Sequence, residues 1–125
     1  MITRRHILAI AAAGALLSAA PSFAHHSWPV DFSKEVTVRG AVTSYNWGNP
    51  HVMFGMDVTA NGKVEKWNVG GPSTNRMAAN GWEKATLKSG DVVTAMGYQF
   101  TDGQKILRLQ KIVMANGKEM FLYGR

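Results

Sequence analysis

The fold is decided by residues 51–69, which read HVMFGMDVTANGKVEKWNV. Apolar residues alternate with others before Asn61-Gly62, and a second short run with the same period follows that pair. Such alternation is typical of a strand with one buried face, and an Asn-Gly pair accepts the positive φ angles of a two-residue type I′ hairpin turn. The stretch therefore predicts antiparallel strands at 51–59 and 63–69. In the first strand, the residues expected to face inward are Val52, Phe54, Met56 and Val58, and those expected to face outward are His51, Met53, Gly55 and Asp57.

Two further turn pairs divide the second half of the chain, at Asp102-Gly103 and Asn116-Gly117. Both are hairpin signals of the same type, because glycine and a preceding Asn or Asp tolerate left-handed backbone. They separate three predicted strands, at 92–100, 105–114 and 118–123. Each strand is expected to run antiparallel to the one before it.

A first strand is predicted at 35–45, where Gly40 permits a bend. Between the third and fourth strands, Pro72-Ser73 suits the start of a short helix over 74–79. Three strands, one helix and two or three more strands are the element order of an OB-type barrel. We therefore predict an all-β fold, a small OB-like barrel of five to six strands with one short helix between strands 3 and 4. The alternative is a two-sheet sandwich, although sandwiches usually need about seven strands.

The first 24 residues have the three parts of a cleavable export signal. Arg4-Arg5 supplies positive charge, 7–20 is apolar, and 22–24 places small residues at the cleavage position. A transmembrane anchor is the weaker alternative, because a span needs about 20 apolar residues and this run is shorter. We therefore predict a signal peptide at 1–24, a single domain at 25–125 with no membrane span after cleavage, and periplasmic localisation through a twin-arginine-like or a Sec route.

The amino-acid composition excludes several kinds of functional site. The chain has 125 residues and no cysteine, which excludes disulfide frameworks, zinc–thiolate sites and thiol nucleophiles. Its net charge of +6 falls to +4 when Arg4-Arg5 leaves with the signal. In an exported protein this mild surplus predicts that nucleic acid is not a partner. No Walker loop, Gly-x-Ser-x-Gly elbow or His-Glu-x-x-His helix occurs, so we do not expect an enzyme.

Three histidines remain after the predicted cleavage, and one of them becomes the new N-terminus. His25 would offer its α-amine and ring Nδ1 to one metal ion, and His26 or His51 would add another imidazole. Such a nitrogen-rich set favours Cu(II), and Met53 would be an optional soft ligand. We therefore predict a copper site made of His25, His26, His51 and Met53. The competing interpretation is that the terminal histidines are solvated and that His51 hydrogen-bonds backbone in a turn.

The tryptophans suggest a second kind of site. Trp28, Trp47 and Trp82 would form an aromatic face of the barrel that binds an envelope protein or a small organic ligand without metal. Packing in the core or at its rim is the other role open to these rings. A copper-dependent oxidase or oxygenase is a third class, which would need an open coordination position and a substrate groove.

Five motifs stand out in the predicted mature chain. They are His25-His26-Ser27-Trp28, Trp47-Gly48-Asn49-Pro50-His51, Trp67 ahead of Pro72-Ser73, Gly81-Trp82, and Leu87-Lys88-Ser89-Gly90-Asp91 with Asp102-Gly103. Together they resemble a family of small exported bacterial proteins of unknown function, and the resemblance covers nearly all of 25–125. It implies a periplasmic single-domain protein with a small β-barrel, and it implies no established reaction. The His-His start and the Asn-Pro-His corner are the matching positions on which the predicted site is placed.

Overall fold

The computed structural model describes residues 28–122, and within them the chain forms six strands and one short helix. The predicted signal segment, His25 and His26 lie outside the described residues. Between 28 and 122, no helix has the length and apolar character required to cross a bilayer. The strands are β1 Val30–Asn46, β2 Met53–Ala60, β3 Lys63–Gly70, β4 Val92–Phe100, β5 Ile106–Val113 and β6 Glu119–Phe121, and helix α1, Thr74–Ala79, lies between β3 and β4.

The sheet closes on itself. Antiparallel neighbours follow the order β3-β2-β1-β4-β5-β6, and β3 also pairs in parallel with β5, through 68–70 and 106–108. Strands β1 to β5 therefore form a closed barrel, and β6 pairs with the last residues of β5. The predicted OB-like barrel with a helix between strands 3 and 4 is confirmed. A sandwich is excluded because the β3–β5 pairing joins two distant strands of the sheet into a ring.

Strand β1 pairs with two neighbouring strands, and at Gly40 its backbone comes very close to that of β2. Residues 35–41 pair with β4, and 41–46 pair with β2. At Gly40, a Cβ atom would overlap the backbone carbonyl oxygen of Asp57. The glycine is therefore explained by the close approach of two backbones. Pairing with β4 is regular through Gly40, and the register shift in the pairing of β1 with β2 lies between Val42 and Ser44, so the predicted bend stays a prediction.

Strand β1 begins at Val30, five residues ahead of the predicted start. Val30 pairs with Phe100 at the end of β4, and regular pairing resumes only at Glu35. Between these points the side chain of Asp31 accepts a hydrogen bond of 2.9 Å from the backbone N–H of Ser33. The apolar alternation here is limited to Val30 and Phe32, because Lys34 and Glu35 interrupt it. The early start of β1 therefore follows from its pairing with β4.

The interior of the barrel is apolar, and none of the residues predicted to face inward from β2 is more than 7% exposed. The predicted helix over 74–79 is confirmed, with Ser73 as its N-cap. Met77 from α1, followed by Trp82 and Leu87, joins the same core. Burial of these side chains removes apolar surface from water and provides the main stabilisation of the barrel.

All three predicted turn pairs connect antiparallel strands, but only Asn61-Gly62 forms a two-residue turn. Its residues have φ values of 52° and 75°, as a type I′ turn requires. The prediction of that turn type was wrong for the other two pairs. Only Gly103 and Gly117 have positive φ there, and each lies in a five-residue connection, at 101–105 and 114–118. In longer hairpin loops a single left-handed glycine is enough to return the chain.

Candidate functional site

An aromatic cluster lies where the described chain enters the barrel. The ring of Trp28 lies 4.8 Å from that of His51 and 5.9 Å from that of Phe100, measured between centroids. The backbone N–H of Thr101 donates to the carbonyl oxygen of Pro29 at 2.9 Å, which attaches the segment after Trp28 to the end of β4. The entry of the chain therefore lies beside the Asn-Pro-His corner.

His51 is held in a defined orientation although it is exposed. Its Nδ1 lies 3.1 Å from the carbonyl oxygen of Gly71. A carbonyl only accepts, so Nδ1 carries the proton of this hydrogen bond and a neutral ring has its lone pair on Nε2. The neighbouring Val52 is fixed by backbone hydrogen bonds, because its N–H donates to Pro72 at 3.0 Å and its carbonyl accepts from Gly71 at 2.9 Å. The backbone hydrogen bond of the competing interpretation is present, and it leaves Nε2 available to a metal ion.

Met53 lies next to this pair of rings because of a glycine on the adjacent strand. Met53 pairs with Gly70 of β3. A Cβ atom at Gly70 would lie 2.5 Å from Cη2 of Trp28 and 2.7 Å from Sδ of Met53. The sulfur and that ring carbon are therefore no more than 5.2 Å apart, which is the sum of the two distances. His51, Met53 and Trp28 form one cluster, which we call the corner cluster.

The predicted copper set is only partly described. His51 and Met53 lie in the corner cluster, whereas His25 and His26 lie outside residues 28–122, so the full set stays a prediction. Within the described range, no three His, Cys, Asp or Glu side chains are grouped so that they could hold a metal ion. Any metal bound at the corner cluster would therefore need the thioether of Met53 or groups contributed by the N-terminal segment.

The predicted aromatic face is not assembled as expected. Trp82 is 2% exposed and packs in the core, so its assignment to a ligand-binding face was wrong. Its backbone N–H donates to the carbonyl oxygen of Met77 at 3.1 Å, which holds Trp82 against the end of α1. Trp47 is half-buried, with its ring 6.2 Å from that of Tyr45. Ligand binding by Trp28 and Trp47 stays a prediction.

Sequence reasoning missed a second surface, on the outer side of β4 and β5. Phe32 is 59% exposed, its ring lies 5.1 Å from that of Tyr98, and Cζ of Arg108 lies 5.1 Å from its centroid. Nearby, Nζ of Lys111 lies 5.5 Å from the ring centroid of Phe121. We call these five residues the outer face. Its members come from four strands, and the only local signal was the alternation of β4, which directs Tyr98 outward.

The chain was compared with solved structures, and the likeness to Rim1 supports the fold. Rim1, a mitochondrial single-stranded DNA-binding protein from S. cerevisiae, is similar with a TM-score of 0.52 and 11% identity, over 68% of this chain and 95% of that chain. A ZRD-deleted mutant of TiaS, solved in complex with agmatine, has a TM-score of 0.49 and 20% identity, over 76% of this chain and 24% of that chain. A comparison with curated proteins finds no match.

The likeness to Rim1 contradicts the predicted exclusion of nucleic acid as a partner. That exclusion rested on the net charge of the whole chain. Net charge alone does not decide this question, because the fold brings Arg108 against the exposed ring of Phe32. The prediction was wrong because it rested on the total charge alone.

A family profile matches most of the chain. The profile described as "Family of unknown function (DUF6152)" matches residues 14–107, about three quarters of the chain. The predicted resemblance to a family without an assigned reaction is thereby confirmed. With its OB-like barrel and its Asn-Pro-His corner, this chain belongs to the DUF6152 family of unknown function.

Proposed function

We propose that this protein is an exported copper-binding protein whose site joins the liberated N-terminus to His51. The observation that carries the proposal is the 4.8 Å ring contact between Trp28 and His51. An extended chain spans at most about 3.6 Å per residue, so the Cα atom of His26 lies within about 7 Å of that of Trp28, and that of His25 within about 11 Å. Covalent geometry therefore allows both imidazoles to reach the corner cluster.

The state of His51 supports the same proposal. Its Nδ1–H is engaged by the Gly71 carbonyl, an arrangement that fixes the ring of many metal-binding histidines and leaves Nε2 as the ligand atom. Cleavage after Ala24 would free the α-amine of His25, which chelates copper together with the Nδ1 of its own ring. Nε2 of His51 would add a third nitrogen, and nitrogen-rich tetragonal sets favour Cu(II). The amine is blocked until the signal is removed, so the site would be completed only after export.

The test uses secreted protein whose first residue has been verified by N-terminal sequencing. With one equivalent of Cu(II), we expect an electron paramagnetic resonance spectrum with nitrogen hyperfine structure. One alanine added ahead of His25 should weaken Cu(II) affinity by about tenfold or more, equivalent to about 1.4 kcal/mol. His51→Ala should remove one nitrogen ligand, whereas Asn75→Ala on the exposed side of α1 serves as the control. Unchanged affinity in both of the first two variants, or a mature chain that does not begin at His25, would refute the proposal.

A second candidate function, single-stranded nucleic acid binding, is favoured by the outer face. Proteins that bind single strands without sequence preference combine cations that meet phosphates with aromatic rings on which bases stack. Phe32 and Tyr98 offer two such rings beside Arg108, and Phe121 lies against Lys111. The likeness to Rim1 concerns the fold, so this candidate depends on the outer face alone.

Fluorescence anisotropy with a labelled oligothymidylate tests this candidate. Binding should weaken as salt is raised, because phosphate contacts release counterions. Phe32→Ala should reduce the binding free energy by about 1–3 kcal/mol if a base stacks on that ring. Val64→Ala, at a residue 61% exposed on β3, is the matched control. No anisotropy change at low salt would exclude the candidate and would leave the copper proposal unaffected.

A further inference from the structure

The corner cluster contains a soft ligand that the Cu(II) proposal does not use. We propose that His51, Met53 and the indole ring of Trp28 form a Cu(I) site that does not require the N-terminal amine. The inference rests on the proposed copper binding, but every residue in it lies within the part of the chain that the structure describes. It assigns copper in its two oxidation states to overlapping sets of groups that share His51.

Trp28 connects the two ligand groups. Met53 is the first residue of β2, and His51 lies two residues earlier in the preceding loop. The ring of Trp28 lies 4.8 Å from that of His51, and its Cη2 lies within 5.2 Å of the Met53 sulfur. The Met side chain is long and flexible, and its polarisable thioether selects Cu(I) over harder ions. The imidazole contributes Nε2, since Nδ1 is engaged by Gly71. One nitrogen and one sulfur are therefore offered beside the start of β2.

Trp28 is the third member of the proposed site, and it would interact with the ion through its aromatic ring rather than through a lone pair. Its ring lies 4.8 Å from that of His51, and its Cη2 lies within 5.2 Å of the Met53 sulfur. A cation against the face of an indole ring is attracted by the ring quadrupole, most strongly where water is excluded. Phe100 packs edge-on against the same ring, with the centroids 5.9 Å apart and an interplanar angle of 68°, and so helps to hold it in place. Because an indole ring cannot complete a tetragonal nitrogen set, this arrangement suits Cu(I) and leaves Cu(II) dependent on the N-terminus.

Gly70 indicates that the approach of Trp28 to Met53 is built into the barrel. This glycine has no positive φ, so the backbone conformation does not require glycine. The requirement is space, because a Cβ atom would lie 2.5 Å from the Trp28 ring and 2.7 Å from the Met53 sulfur. A larger residue would separate the ring from the sulfur. Gly70 is therefore a positioning residue for the proposed Cu(I) site.

The experiment is an anaerobic competition between the protein and a chromogenic Cu(I) chelator such as bicinchoninate, with the Cu(II) spectrum recorded in parallel. Loss of a second-shell partner costs about 10- to 100-fold in metal affinity, so loss of the Met53 ligand should cost about tenfold or more. Met53→Leu should thus lose Cu(I) and keep the Cu(II) spectrum. The alanine-extended protein should lose Cu(II) and keep Cu(I). Met96→Leu, on the outer side of β4, should change neither.

Two further variants test the ring and its position. Trp28→Phe keeps an aromatic side chain with a weaker quadrupole, and Gly70→Ala displaces Trp28 from Met53. Both should weaken Cu(I) binding, with the fold of each verified by circular dichroism. If Gly70→Ala does not fold, Trp28→Phe decides the contribution of the ring.

The outcomes separate the two proposals. Unchanged Cu(I) affinity in Met53→Leu overturns the inference. A loss of Cu(I) affinity in the alanine-extended protein as large as the loss expected for Met53→Leu overturns it too. Only the Cu(II) proposal would be overturned if the Cu(I) affinities follow these expectations while the Cu(II) affinity is unchanged both in the alanine-extended protein and in His51→Ala.

Discussion

The ring of Trp28 lies across that of His51 at an interplanar angle of 56°, with the centroids 4.8 Å apart. This contact joins the beginning of the described chain to the loop between β1 and β2. A tryptophan ring at this distance changes the local magnetic field at its neighbour. The geometry therefore gives the contact a signature in solution that does not depend on any metal.

We expect the carbon-bound ring protons of His51 to resonate away from their random-coil positions in the metal-free protein. Trp28→Ala should return them to those positions and should lower the free energy of unfolding by about 1–3 kcal/mol, because a half-buried aromatic ring is lost. Nuclear magnetic resonance and urea titration measure the two effects. Trp47→Ala is the comparison, since Trp47 packs against Tyr45. Identical His51 signals with and without Trp28 would contradict the contact.

Gly97 should not tolerate a methyl group. A Cβ atom there would overlap the backbone carbonyl oxygen of Arg108 on β5, and backbone cannot move aside as a flexible side chain can. We expect Gly97→Ala to lower the free energy of unfolding by more than about 3 kcal/mol, at the upper end of the cost of overpacking. Gly48→Ala is the control, because its nearest neighbour is the side chain of Asn46 at 3.3 Å. Thermal unfolding of both variants would measure the difference, and similar melting temperatures would contradict the predicted overlap.

The hydroxyl of Tyr45 should make the protein sensitive to alkali. It donates a hydrogen bond of 2.8 Å to the carbonyl oxygen of Glu83, and burial together with the charge of Glu83 raises the pKa of Tyr45 to about 12. Because the folded-state pKa is raised above the ordinary 10.0, the protonated phenol stabilises the fold below pH 10, and this contribution is lost as the pH rises towards 12. Wild-type stability should fall more steeply in that window than the stability of Tyr45→Phe.

Denaturant midpoints measured at pH 8, 10 and 11.5 would detect this effect through proton linkage. Tyr98→Phe controls for the loss of a tyrosine hydroxyl elsewhere in the barrel. Parallel pH profiles for the wild type and Tyr45→Phe would show that the phenol is not protected in the folded state.

The ion pair between Glu65 and Lys105 should contribute to stability only above acidic pH. Their side chains meet at 2.9 Å, and the hydrogen bond and charge of Lys105 hold the pKa of Glu65 below its ordinary 4.5. A depressed carboxyl pKa contributes stability above the unfolded value and loses it as the pH falls through the folded one. Glu65→Gln should therefore be less stable than the wild type at pH 7 and equal to it below the folded pKa. The difference at neutral pH should be small and should shrink in high salt, as for other exposed pairs.

Asn49 should be needed to hold the loop between β1 and β2 against α1. Its Oδ1 accepts from the backbone N–H of Thr74 at 3.0 Å and from the hydroxyl of Thr74 at 3.2 Å. Asn49→Ala should destabilise the protein by about 1 kcal/mol, as for the loss of a helix cap. It should also weaken copper binding, because His51 is two residues away in the same loop. Asn75→Ala, one residue after Thr74, is the control in chemical denaturation, and equal effects of the two variants would contradict this role.

Residues 51–69 show how much of the structure a local sequence pattern can predict. Their alternation was sufficient to identify the buried side of β2, because side chains of a strand alternate with a fixed period of two whatever its neighbours are. The Asn61-Gly62 turn was also predictable, since both residues accept positive φ. At Asp102 and Asn116 the same dipeptide chemistry predicted a connection but not its length. Loop length depends on which residues of the flanking strands pair, and that is a tertiary property.

Part of the candidate site was likewise predictable from the sequence, and part was not. The sequence identified His51 and Met53 as neighbours on one side of a strand, and it placed two more histidines at a predicted cleavage point. It did not indicate that the Trp28 ring would cover them, or that Gly70 would leave room for it. Those contacts join residues from β3 and from the chain entrance, whose separation along the sequence carries no periodic signal. Trp82 was misassigned for a related reason, because a tryptophan after a short helix has the same local pattern whether it faces solvent or the core.

Residue types and near-neighbour spacing were enough to predict the strands, the short helix, the inward residues of β2 and the family. The closure of β3 onto β5, the corner cluster of Trp28, His51 and Met53, and the aromatic and cationic outer face became visible only in the folded chain. These features arise when strands distant in the chain are brought side by side. Barrel closure fixes that juxtaposition through backbone pairing and apolar burial, and neither has a local signature in the order of the residues.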